Sequence, residues 1–102
     1  MKHFTWRHLQ DALDYAAAGG QAVHTHRFIV DWRRAPACFR REVAAGRDIA
    51  HLFDQDVQRL EQTARILGVR VLLVEHRGGA NQHIDLCGGP LRLALAQCRQ
   101  DN

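Results

Sequence analysis

The chain has 102 residues, 46% of them hydrophobic and 25% charged, with a formal net charge of +3 at pH 7. A length of this order holds one domain and no second core, and no apolar run approaches the ~18–20 residues that a membrane-crossing helix needs. The positive charge is almost wholly arginine, since Lys2 is the sole lysine; the arginines are scattered rather than clustered as nucleic-acid contacts usually are.

The opening MKHFTWRHLQ lacks the apolar core of a secretion signal. Cys38, Cys87 and Cys98 are an odd, widely spaced set without a C-x-x-C pair, which fits reduced thiols better than a disulfide framework. The expected location is cytoplasmic.

TWRHLQDALDYAAAGG reads as the first helix. Thr5 offers an N-cap, Leu9, Ala12, Leu13 and Ala16 recur at helical spacing, and Gly19-Gly20 supplies the stop. A polar connector follows, in which His24-Thr25-His26 either offers two ligands on one face or, as the cheaper reading, is an exposed loop, with residues 1–26 as a helical N-terminal extension packed on the rest. Arg27–Trp32 has the β-branched and aromatic make-up of a buried strand. Pro36 interrupts the next stretch, and Ala37–Ala45 reads as a short helix before Gly46.

Asp48–Phe53 alternates and predicts a second strand. Asp54 or Asp56 then caps a helix whose stripe is Val57, Leu60, Ala64 and Leu67, closed by Gly68. Val69–Glu75, apolar on both sides, predicts a central strand. The turn HRGGAN leads into a strand over Gln82–Cys87. Pro90 opens a last helix whose inward face is Leu91, Ala94, Leu95 and Cys98. The expected fold is a small single-domain α/β sandwich, with about three helices on a three- or four-stranded sheet.

The chemistry concentrates in HIDLCGGPLR. Alternate strand residues share a face, so Ile84 and Leu86 point into the core while His83, Asp85 and Cys87 line the other side. All three residue types ligate metals or carry protons. Neighbours in that row lie about 6.6–7 Å apart, so two can converge on one ion but three need a bend. Further ligands must come from elsewhere, and His51, Asp54, Glu75 and His76 stand at the ends of neighbouring strands.

Cys87, Gly88, Gly89 and Arg92 form a second candidate. Glycines opening a helix leave N–H groups free for an anion, and a cysteine there can have a lowered pKa. The four residues between Cys87 and Arg92 are one short of a cysteine-phosphatase loop, and neither a P-loop nor a dinucleotide glycine spacing is met. His3 and His8 are placed on the first helix. Arg33, Arg34, Arg40, Arg41 and Arg77 offer a basic rim that either meets water or touches nucleic acid.

Two resemblances follow from these residues. Val30-Asp31-Trp32-Arg33, His51-Leu52-Phe53-Asp54, a helix ending Ile66-Leu67-Gly68, and His83-Ile84-Asp85-Leu86 before a final helix form an order similar to the bacterial domain-of-unknown-function family numbered 4031. It covers residues 28–97. The chain departs from it by the N-terminal extension and by Cys87-Gly88-Gly89-Pro90, where that family has a basic Ser-Lys-Arg-like stretch. This resemblance implies that Asp31, His51, His83 and Asp85 gather at one edge of the sheet; it implies no activity. Locally, IDLCGGP resembles a segment of the threonyl- and alanyl-tRNA synthetase editing domains, in which a cysteine and a histidine four residues on bind zinc or substrate. Here Cys87 matches, Leu91 stands at the histidine position, and the partner H-x-x-x-H motif is missing.

The functional expectation is an anion- or metal-accepting cleft that hydrolyses a phosphate or an ester. His51 or His83 would move the proton, and Asp85 or Asp31 would orient it or hold a metal. No full ligand motif names the metal. The alternatives are a non-catalytic interaction module that pairs with a second copy as a homodimer, and a nucleic-acid-binding domain.

Overall fold

In the computed structural model, residues 1–26 and 39–101 are described. They form a mixed α/β domain built on one four-stranded sheet. The strands are β1 (Lys2–Phe4), β2 (Ala22–His26), β3 (Ile49–Phe53) and β4 (His83–Leu86). They lie in chain order, with β1 parallel to β2 and both later pairs antiparallel. A parallel pair requires a crossover, and α1 (Leu9–Ala17) supplies it after a single 3₁₀ turn at Trp6–His8. The remaining helices are α2 (Arg40–Ala44), α3 (Val57–Ile66) and α4 (Gly88–Gln100).

The first 26 residues are therefore not a helical extension. They contribute half of the sheet as well as α1. His24-Thr25-His26, read as a loop, is strand β2, with His24 and Thr25 buried. His3 lies on β1 and not on the helix. The expected strand Arg27–Trp32 lies outside the described residues.

The register sorts the side chains onto two faces. Val23, Ala50, Leu52, Ile84 and Leu86 turn one way and pack beneath Leu60, Ala64 and Leu67 from α3 and its end, and Leu91, Ala94 and Cys98 of α4. Ala22 and Phe53 turn the other way, under Ala12 and Ala16 of α1. Most of the stripes anticipated for these three helices pack, except that Leu9 at the start of α1 is exposed and Val57 at the start of α3 joins no core cluster. Asp56, not Asp54, caps α3 by accepting the Arg59 backbone N–H at 3.1 Å. Gly68 follows α3 with φ +93°, a left-handed position that glycine tolerates without a Cβ clash. Gly20 has no room for a side chain, which would run into the Tyr15 ring.

Val69–Glu75 is not a central strand. Leu72 and Val74 rest partly buried on the core, while Val71 and Leu73 are exposed. Only Glu75 pairs with a strand, in an isolated antiparallel bridge to His83. The turn at residues 76–81 brings a single residue opposite β4, so no ladder forms. No helix among the described residues is long and apolar enough to cross a membrane.

Candidate metal centre

α1 covers only part of its sheet face. Beyond it the same face carries imidazoles: His24 and His26 on β2, His51 on β3 and His83 on β4, with Asp85 beside them. The pairing sets His24 against His51, His51 against Asp85, and Phe53 against His83. The rings crowd together, with centroids 4.5 Å apart for His26 and His51 and 4.4 Å apart for His51 and His83.

The nitrogens converge on one oxygen. Nε2 of His83 lies 3.3 Å and Nε2 of His51 3.5 Å from Oδ1 of Asp85. One ligand atom each from His51, His83 and Asp85 falls within 4.8 Å of the others. Nε2 of His26 stands 3.3 Å from Nε2 of His51. Strand spacing keeps Cys87, the third member of the β4 row, from joining His83 and Asp85, and the cross-strand neighbour His51 completes the group instead.

The proton inventory shows what such a cluster needs. A carbonyl only accepts, so Nδ1–H of His83 donates to the Asn81 carbonyl at 2.7 Å. That leaves its Nε2 lone pair facing a carboxylate oxygen, and two electron-rich atoms at 3.3 Å require a positive charge between them. A second proton on His83 is one solution and a metal ion is the other. Burial opposes charge on His83, but the hydrogen bonds to Asp85 and Asn81 hold its pKa above the ordinary value. Burial, with His83 and His26 nearby, pushes His51 down to about 4, so it stays neutral near pH 7. Burial also lowers His24, whose Nε2–H donates to the Trp6 carbonyl at 3.3 Å. Nδ1 of His24 and Nδ1 of His51 are buried without a hydrogen-bond partner among the described residues.

A cavity of about 370 Å³ opens over the cluster. Leu9 and Leu13 of α1 join Phe53 as its apolar wall, and Glu75, His76 and Asn81 form its lip. His76 adopts φ +52°, uncommon for a residue with a side chain, and its ring lies 5.8 Å from that of His83.

The anticipated residues are sorted unevenly. His51, His83 and Asp85 meet, while Asp31 lies outside the described residues. Cys87 faces the same side as His83 and Asp85, yet it packs against Phe39 and Ile49. Arg92 is exposed on the first turns of α4. The Gly88-Gly89 turn confronts the chain's own acid, because a Cβ placed on Gly88 would stand 3.6 Å from Oε1 of Glu42. Asp54 is not at the cluster: it is fully buried and receives Nε and Nη2 of Arg59, each at 2.8 Å. Of the rim, Arg77 pairs with Glu61 at 3.3 Å, Arg40 and Arg41 lie on α2, and Arg33 and Arg34 lie outside the described residues. His24 and His26, for which a loop was the preferred reading over a pair of same-face ligands, belong to the site, and their signal is the alternation of Ala22, His24 and His26 against Val23 and Thr25.

No family model, curated protein or solved structure matches the chain.

Proposed function

We propose that the protein is a metal-dependent hydrolase that holds a divalent ion of the zinc type through His51, His83 and Asp85. One observation carries this reading: two imidazole Nε2 atoms approach a single carboxylate oxygen at 3.3 and 3.5 Å. Zinc bonds of about 2.0–2.1 Å in a tetrahedron put neighbouring ligand atoms about 3.3–3.4 Å apart. Right-angled ligands at the same bond lengths would stand about 2.9 Å apart. The two nitrogen–oxygen distances are compatible with a tetrahedral set, and two histidines with one carboxylate would leave a fourth position for water or substrate.

Such an ion supplies Lewis acidity and a nucleophile drawn from water at neutral pH. The chain's residues do the remainder. Asn81 fixes the ring and tautomer of His83 through its carbonyl, leaving Nε2 for the ion. Asp85 would hold the ion from β4 together with His51 and His83, and α1 with Phe53 shields one side of the cavity from water.

Elemental analysis and zinc titration of metal-free protein test the reading. One equivalent of zinc is expected to bind the wild type. His83→Ala and Asp85→Ala should each lose more than the 10–100-fold typical of losing an outer-shell partner, with unchanged far-UV circular dichroism. No zinc uptake, or uptake indifferent to both substitutions, overturns it.

A further inference from the structure

Resting on that metal reading, we propose that the substrate is an uncharged carboxylic ester with a short apolar acyl chain, lying against Leu9, Leu13 and Phe53. Two features of the cavity point there. The first is its apolar wall: Leu9, 44% exposed, stands at the cavity with no role in closing the core, beside half-buried Leu13. An exposed leucine next to a polar cluster offers a chain on a ligand the burial that the fold does not use.

The second feature is charge. Glu75 and Asp85 both line the cavity, and no lysine or arginine among the described residues does. Two carboxylates would cancel the charge of a divalent ion, so ion and carboxylates together carry no net charge. That balance suits an uncharged ligand, whereas a phosphate ester would meet two carboxylates without the arginine fork that phosphate sites favour. A volume of about 370 Å³ lies in the small-molecule range. In the reaction, water adds its hydroxyl to the acyl carbon, the acyl carbon–oxygen bond breaks, and the leaving alkoxide takes the remaining proton. Acid and alcohol are released, and nothing is oxidised or reduced.

The experiment uses zinc-loaded full-length protein and measures binding before turnover. Straight-chain alkyl hydroxamates from acetyl to hexanoyl are titrated calorimetrically alongside phenylphosphonate. Affinity is expected to rise about fourfold per added methylene until the wall is covered, and phenylphosphonate should bind at least tenfold more weakly than the butyryl compound. Leu9→Asp, at an exposed position, should flatten the chain-length series with zinc stoichiometry unchanged; Leu13→Ala should reduce its slope. p-Nitrophenyl butyrate should be turned over in preference to p-nitrophenyl phosphate. Zinc uptake with a flat series, or with phosphonate as the tighter ligand, overturns the ester assignment alone. Absence of zinc uptake removes the metal reading and this inference together.

Discussion

The two faces of the sheet use the same strands for opposite ends. On the α3–α4 side every inward residue is aliphatic or small, and Leu52, Ile84 and Leu86 are at most 1% exposed. On the α1 side the apolar contacts of Ala22 and Phe53 give way to histidines and an aspartate, and Ile49 resumes them only at the far end, with Phe39 and Cys87. Stability is concentrated on one side and chemistry on the other. Because side chains alternate, neighbours on one strand, such as His51 and Leu52, belong to different tasks.

That contrast makes a sharp test of adjacent residues. Leu52→Ala is expected to destabilise by about 2–5 kcal/mol, through lost burial and the cavity left behind. His51→Ala in metal-free protein should change stability little, or raise it, since it removes a crowded ring with an unpartnered buried nitrogen. Zinc should reverse the order: at 100 times its Kd it adds about 2.7 kcal/mol to the wild type and nothing to His51→Ala. Denaturant melts with and without zinc measure both. Equal losses at the two positions would break the comparison.

Asp54 sits at the end of β3, where the two faces are joined. Its carboxylate holds Arg59 and also accepts Gln21 Nε2–H at 2.9 Å, while the same amide group reaches Thr63 on α3. Burial works against the charge, but the bonds from Arg59, the Asp56 backbone and Gln21 outweigh it and keep the pKa below 3.8. A folded pKa below the unfolded one means the stabilisation is complete above about pH 4 and is lost as the pH falls through the folded value. Asp54→Asn should cost about 1–3 kcal/mol at pH 7 and flatten the acid limb of a stability–pH curve. A wild-type curve already flat between pH 5 and 2 would contradict this clamp.

The smallest effect belongs to the lip of the cavity. Relief of the left-handed backbone in His76→Gly should raise stability by about 1 kcal/mol, while glycine's greater unfolded freedom offsets part of it. Loss of stability would mean that the ring, rather than the backbone, sets the turn.

Much of this was legible in the chain because periodicity records burial. HIDL alternates, and so do its consequences: Ile84 and Leu86 are in the core, His83 and Asp85 in the cluster. The stripes of α1, α3 and α4 follow the same logic. Two segments misled for physical reasons. AVHTH has two apolar residues in five, and histidines on a buried strand look like a loop until a partner strand is known to carry His51 opposite. VRVLLVE has a strand's composition, but composition cannot say whether backbone partners exist, and here only one residue finds one. The gathering of His51, His83 and Asp85 was anticipated, but the approach of both Nε2 atoms to one Asp85 oxygen depends on the β3–β4 register, which the sequence does not supply.

That register has a kinetic corollary. Two of the proposed ligands, His83 and Asp85, sit on β4 and the third, His51, lies 32 positions before His83 on the strand hydrogen-bonded beside it. An ion gripping all three cannot stay bound while β4 peels from the sheet, so fraying of that edge and release of the ion become one event. Amide protons of Leu52 and Ile84 should therefore exchange more slowly as zinc is added, whereas those on β1 should keep their own pace.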